Sequence, residues 1–269
     1  MEGIRAELEA DEQTAGPTNG SAAVATAPCI ELDHVYLSFD RPILVDLNMV
    51  VHEGETLLVL GESGTGKSTI LKLILRLLMP DEGMVRIFGN EIGHLTFAEV
   101  LEVRRRIGMV FQNSALFDSM TVYENVAYPL RENTELSEDD IEHAVREKLA
   151  FVDLDPDQVV DQVPSELSGG MRKRVGVARA IATNPQIILY DEPTAGLDPL
   201  TVETVTDLMK KLQREMGVTS ILVTHDLRAG FKVATRVNML QEGRVLFSGS
   251  PEELVASDDP YTRAFINAS

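Results

Sequence analysis

The chain has 269 residues, 44% of them hydrophobic, which is enough for one large α/β domain or two small ones around a sizeable core. Its formal charge of −19 argues against nucleic acid as a partner, because that binding rests on basic contacts to phosphate. A single cysteine, Cys29, excludes an internal disulfide framework and a Cys-cluster metal site.

No apolar run reaches the roughly 18–20 residues that span a bilayer. The start lacks a basic stretch leading into an apolar one, so no secretion signal is expected. The expectation is a cytoplasmic chain, held at a membrane by another chain if it works there.

Residues 1–28 are rich in Ala, Glu, Gly and Thr and read as a disordered acidic tail. Residues 30–37 alternate as a half-buried strand, and residues 47–51 form a second candidate. Phe39 lies between them, where an aromatic ring either stacks on a base or packs. Gly54 turns the chain into residues 56–60, a short apolar run that reads as a buried strand.

Next comes Gly61-Glu62-Ser63-Gly64-Thr65-Gly66-Lys67-Ser68, followed by a helix over residues 69–75 that Thr69 opens. Strand, glycine-rich turn and helix in that order fit the phosphate-binding loop G-x-x-x-x-G-K-[ST]. Glycines let successive N–H groups converge on phosphate oxygens, and the helix aims its positive end at the same place. Lys67 would neutralise β/γ-phosphate charge, and Ser68 would offer its hydroxyl to Mg²⁺.

Further along, residues 84–88 and 107–111 read as strands and residues 97–105 as a helix. Gln112 ends the second of those strands, with an amide oxygen able to reach a metal or a water. The connection from Ser114 to Val122 is unusually apolar. Thr121 is a plausible N-cap for a helix closed by Pro129, and Ser137 opens another that runs to about Phe151. Leu167-Ser168-Gly169-Gly170-Met171 opens a helix to about Thr183, stopped by Asn184-Pro185. Ser168 is a helix cap, and Gly169 and Gly170 allow an anion to approach the backbone; an ordinary capped helix is the plainer alternative.

Residues 187–190 form a buried strand that delivers Asp191 and Glu192 at its C-terminal edge, where open α/β sheets bind ligands. Asp191 would hold Mg²⁺ and Glu192 would polarise an attacking water. A helix over residues 200–216 and a strand over 220–223 lead to His225, whose imidazole could reach a phosphate or that water. A hairpin around Glu242-Gly243 and two short helices complete the chain.

The fold class expected is α/β: a P-loop NTPase core with a mostly parallel sheet, an N-terminal antiparallel β flap and an inserted α-helical subdomain over about 113–183. The main domain covers 29–250, and 251–269 forms a helical extension.

Taken together, these residues resemble the ATPase subunit of the ATP-binding cassette family over about 30–250. The phosphate loop, Gln112, the Leu167–Gly170 signature, the strand carboxylates, the turn Ala195-Gly196-Leu197-Asp198 and His225 carry the resemblance. It implies ATP and Mg²⁺ as ligands and a head-to-tail homodimer with two ATP molecules between loop and signature. Asp198 joins the ATP-binding set on this ground, and Phe39 takes the place of the family's usual base-stacking tyrosine.

A closer resemblance, to ATPases of bacterial lipid transporters of the Mla and Mce type, rests on residues 108–118, 124–132 and 167–174. It implies a membrane permease, an MCE-domain lipid-binding protein and a small STAS-domain subunit as partners, at the cytoplasmic face of the inner membrane. The cluster Arg172-Lys173-Arg174 reads equally well as a solvated helix face.

Overall fold

The computed structural model describes residues 28–268. The expected acidic tail lies outside the described residues apart from Pro28, which opens the first strand. The chain divides into two compact units, one reaching Leu95 and resuming at Leu222, the other Thr96–Ile221.

In the first unit, β1 (Pro28–Ser38), β2 (Pro42–His52), β4 (Glu82–Ile87) and the two-residue β5 (Asn90–Glu91) form an antiparallel sheet in the order β2-β1-β4-β5. Leu32 lies opposite Met49 on one side and Val85 on the other, so one face of the flap is apolar and buried. β3 (Thr56–Leu60) is buried at all five positions, which explains its unbroken apolar run. It runs parallel to β9 (Arg236–Gln241), with Leu60 paired to Met239, and β9 turns back into β10 (Arg244–Gly249). Helix α1 (Lys67–Ile74) follows β3 and buries Ile70, Leu71, Leu73 and Ile74.

The second unit opens with α2 (Phe97–Arg105), capped by a reciprocal Thr96/Glu99 pair. β6 (Ile107–Val110) lies parallel to β7 (Ile187–Asp191), with Met109 opposite Leu189. Between these neighbours in sequence order come α3 (Val122–Asn133), α4 (Glu138–Phe151), the short α5 (Pro156–Val159) and α6 (Gly169–Ala180). A long α7 (Pro199–Met216) follows β7 and ends at Gly217 in the left-handed conformation. β8 (Thr219–Val223) carries the chain across the boundary into the first unit.

The structure differs from expectation in three helices, of which the short α5 is one that the sequence did not announce. Pro129 does not close α3, which continues to Asn133. Proline forfeits one backbone hydrogen bond. The buried side chains of Val126, Ala127 and Leu130 and the bond from Asn133 Nδ2 to the Pro129 carbonyl at 2.8 Å carry the helix past it. α8 (Leu227–Val233), capped by Asp226, was not expected from the sequence; α9 (Pro251–Ala256) and α10 (Pro260–Ala268) match the two terminal helices. Among the described residues, no helix is long and apolar enough to cross a membrane.

Candidate nucleotide-binding site

The first unit holds the phosphate loop. Gly61, Gly64 and Gly66 take φ of 148°, 81° and 99°, a region that side chains resist and glycine enters freely. Space is closed as well: a Cβ on Gly66 would meet Leu44 Cδ2 at 2.6 Å, and one on Gly61 the Leu240 carbonyl oxygen at 2.6 Å. Lys67 is buried, and its ammonium donates to the carbonyls of Gly61 at 2.7 Å and Glu62 at 2.8 Å. Thr65 adds a hydroxyl bond to the Glu62 carbonyl at 2.8 Å. The turn thus ties its own lysine back onto two of its carbonyls. Ser63 is exposed, while Ser68 and Thr69, at the start of α1, are half-buried.

Arg41 is a neighbour that sequence reading missed: its Nη2 lies 3.6 Å from where a Gly64 Cβ would sit. Nothing in its spacing marks it, because β1 and β2 bring it there through a hairpin. Tyr261 of α10 also reaches the loop. Burial raises its pKa, against a hydrogen bond with the Glu62 backbone. Phe39 is 61% exposed, which suits a stacking ring better than a packing one. His225 is exposed at the end of β8, between buried Thr224 and the Asp226 cap, whose carboxylate accepts from the Ala229 N–H at 3.1 Å.

The second unit holds Gln112, the signature, the strand carboxylates and Asp198. Ser168 caps α6 by accepting from the Met171 N–H at 3.2 Å. A Cβ on Gly170 would meet Thr201 Cγ2 at 2.8 Å, so this glycine lets α6 start against the first turn of α7. Asp198 caps that turn, accepting from the Thr201 N–H at 3.1 Å and from its hydroxyl at 2.6 Å. The two Thr201 bonds hold the Asp198 carboxyl below its usual pKa. The signature glycines and Asp198 are therefore neighbours. At the end of β7, Asp191 precedes Glu192, which adopts φ of 50°. A non-glycine residue in that region stores strain, and such strain gathers at functional positions.

Gln112 begins a segment whose backbone is held almost wholly by side chains. The carbonyl of Gln112 accepts from the Lys173 ammonium. Those of Ser114 and Ala115 accept from Arg179 at 2.8 and 2.7 Å. Asn125, fully buried, spans the next stretch with bonds to the Phe117 N–H and to the carbonyls of Phe117, Met120 and Thr121. The reading of Arg172-Lys173-Arg174 as a solvated face is corrected: Lys173 is 6% exposed and the half-buried Arg174 donates to the Asp153 carbonyl at 2.8 Å, so of the three only Arg172 is exposed. The Phe117 and Tyr128 rings meet at a tilt of 58° with centres 5.2 Å apart, and both line a cavity of about 400 Å³ with Leu101, Met109 and Phe111.

A lysine turn between strand and helix, strand-end carboxylates and a glycine-rich helix start define a P-loop nucleotide-binding protein of cassette type. The chain belongs to the ABC transporter family, whose model matches residues 44–195. Among relatives, it is 40% identical over 220 residues to the intermembrane phospholipid transport system ATP-binding protein MlaF of Haemophilus influenzae, covering 82% of this chain and 83% of that one. It is also 40% identical over 239 residues to a protein of Mycobacterium bovis named a probable ribonucleotide transport ATP-binding protein, mkl. That match covers 88% of this chain but spans only 66% of the mycobacterial protein. Among solved structures, a dimeric ATP-binding cassette in a post-hydrolysis state with ADP and Pi superposes at a TM-score of 0.75, with 35% identity over 82% of this chain and 98% of that one.

Proposed function

We propose that the chain is the ATP-hydrolysing subunit of a membrane ABC transporter that moves phospholipid between membranes. The observation that carries the reading is its 40% identity across 83% of the phospholipid-transport relative, joined to an intact lysine loop and strand-end Glu192.

In this reading Lys67, seated on the Gly61 and Glu62 carbonyls, takes β/γ-phosphate oxygens in their place, and the loop N–H groups from Glu62 to Ser68 bind the remaining oxygens. Phe39 stacks on the base. Glu192 accepts a proton from the attacking water, and His225 and Gln112 orient that water against the γ-phosphate. Ser168, Gly169 and Gly170 face the nucleotide held by a second copy, with Asp198 beside them, so that two ATP molecules close a homodimer.

Ser68, Gln112 and Asp191 are hard oxygen donors, the kind Mg²⁺ takes, and they would hold that ion. When bound, it supplies neutralising charge to the phosphate oxygens. Closure and reopening of the dimer is the motion passed to the permease. The cavity beside Phe117 and Tyr128 receives a permease segment at the cytoplasmic face of the inner membrane, and exposed apolar surface of this kind calls for a partner. An MCE-domain protein and a STAS-domain subunit complete the assembly.

A second reading, an importer of a small solute, draws on the ribonucleotide-transport name of the mycobacterial relative. Affinity purification of the tagged full chain from membranes, with mass spectrometry of bound protein and lipid, separates the two. A permease, an MCE-domain protein and phospholipid are expected. A periplasmic solute-binding protein without lipid would overturn the lipid reading.

A further inference from the structure

The segment that begins at Gln112 carries backbone strain and is bonded from outside. Ser114 and Ala115 take φ of 58° and 47°, and neither is glycine. The only turn bond within it runs from the Ser114 N–H to the Phe111 carbonyl at 2.9 Å among the described backbone bonds. What opposes the strain lies on one face of α6. Lys173 donates to the Gln112 carbonyl, and Arg179 forks onto the carbonyls of Ser114 and Ala115. Gly176, between them on the same face, brings the helix so close that its Cβ position is 3.1 Å from Ser114 Cβ. Positions 173, 176 and 179 recur at helical spacing, so a single helix face grips the carbonyls of Gln112, Ser114 and Ala115.

Lys173 and Arg179 are buried deeply enough that desolvation lowers both their pKa values. A buried ammonium is costly unless its donors are used, and here the loop carbonyls use them. The other end of the grip is the groove: the Arg179 guanidinium lies 5.8 Å from the centre of the Phe117 ring, which contacts Tyr128 at a tilt.

We propose that Lys173 and Arg179 are positioning residues for the hydrolytic step: they hold the Gln112–Ala115 segment with Ser114 and Ala115 in the left-handed region, tying α6 to the loop between its Ser168 end and the Phe117 edge of the groove. The proposal rests on the reading of Gln112 given above. Neither residue needs to touch nucleotide. Their contribution is that the Gln112 amide stays aimed during turnover, which is where a misplaced group costs rate.

The test is a double-mutant cycle on ATP turnover by the full chain, with Gln112→Ala, Lys173→Met and the pair. Lys173→Met is expected to lower kcat about tenfold with KM for ATP changed less than about twofold. Lys173→Arg, which keeps a donor, should recover most of the loss. The pair should be no slower than Gln112→Ala alone, because both changes disable one device. Thermal melts accompany each variant. If Lys173→Met melts early, Lys173→Gln replaces it in the cycle, retaining an amide donor of intermediate length, and an intermediate kcat is then expected. Wild-type kcat in Lys173→Met, or losses that multiply in the pair, would overturn the proposal while the role of Gln112 stands. Wild-type kcat in Gln112→Ala would instead remove the reading beneath it.

Discussion

The lysine loop of the first unit and the Gln112 segment of the second both bend a chain leaving a strand, and they do so by opposite means. The first places glycine at every left-handed position, Gly61, Gly64 and Gly66, and ties its shape from within through Lys67. The second places Ser114 and Ala115 at left-handed φ and is tied from outside by Lys173 and Arg179. A turn built on glycine stores little strain and keeps its form when its surroundings move. A turn built on serine and alanine holds only while its clamps hold, which suits a segment that passes movement on. The two loops therefore differ in the kind of mutation that breaks them.

The largest effect should come from the self-contained loop. Lys67→Met is expected to lower ATP turnover at least about hundredfold, the scale of losing one preorganised donor, and to weaken binding of a fluorescent ATP analogue while the fold survives. Gly66→Ala comes next. It forces a side chain into φ of 99° and against Leu44, and should lose about 2–4 kcal/mol in a denaturant melt. An unchanged midpoint would mean that the loop relaxes without glycine.

Arg179→Ala should cost about 1–3 kcal/mol, because two carbonyls lose their donor. A wild-type melt there would show that the Gln112 segment holds itself and would erase the contrast between the loops. The smallest effect belongs to Asp198→Ala. The carboxyl pKa is lowered in the folded state by its Thr201 bonds, so its stabilisation is present above the usual value of 3.8 and is lost as pH falls through the folded value. The gap in melting temperature between variant and wild type should accordingly close on acidification below pH 3.8.

That same contrast explains what could be read from the sequence. Glycine spacing exposes the lysine loop directly, because the residue type is itself the conformational requirement. Thr121 and Ser137 announce their helices, since the cap is chemistry local to three residues. Pro129 misleads, because the burial of Val126 and Leu130 that carries α3 past it is a tertiary fact. Lys173 misleads for the same reason: between two arginines it looks solvated, and only packing shows that it ends on a backbone carbonyl. The left-handed φ of Glu192 and the approach of Arg41 to the lysine loop leave no mark in spacing at all.

The account depends on Glu192 taking the proton of the water that attacks the γ-phosphate after two copies have closed on ATP. The direct measurement is light scattering of the Glu192→Gln variant with and without ATP, alongside its phosphate release. A stable ATP-dependent dimer with turnover lost at least about hundredfold is predicted. A variant that hydrolyses at the wild-type rate, or that stays monomeric at saturating ATP, would contradict it.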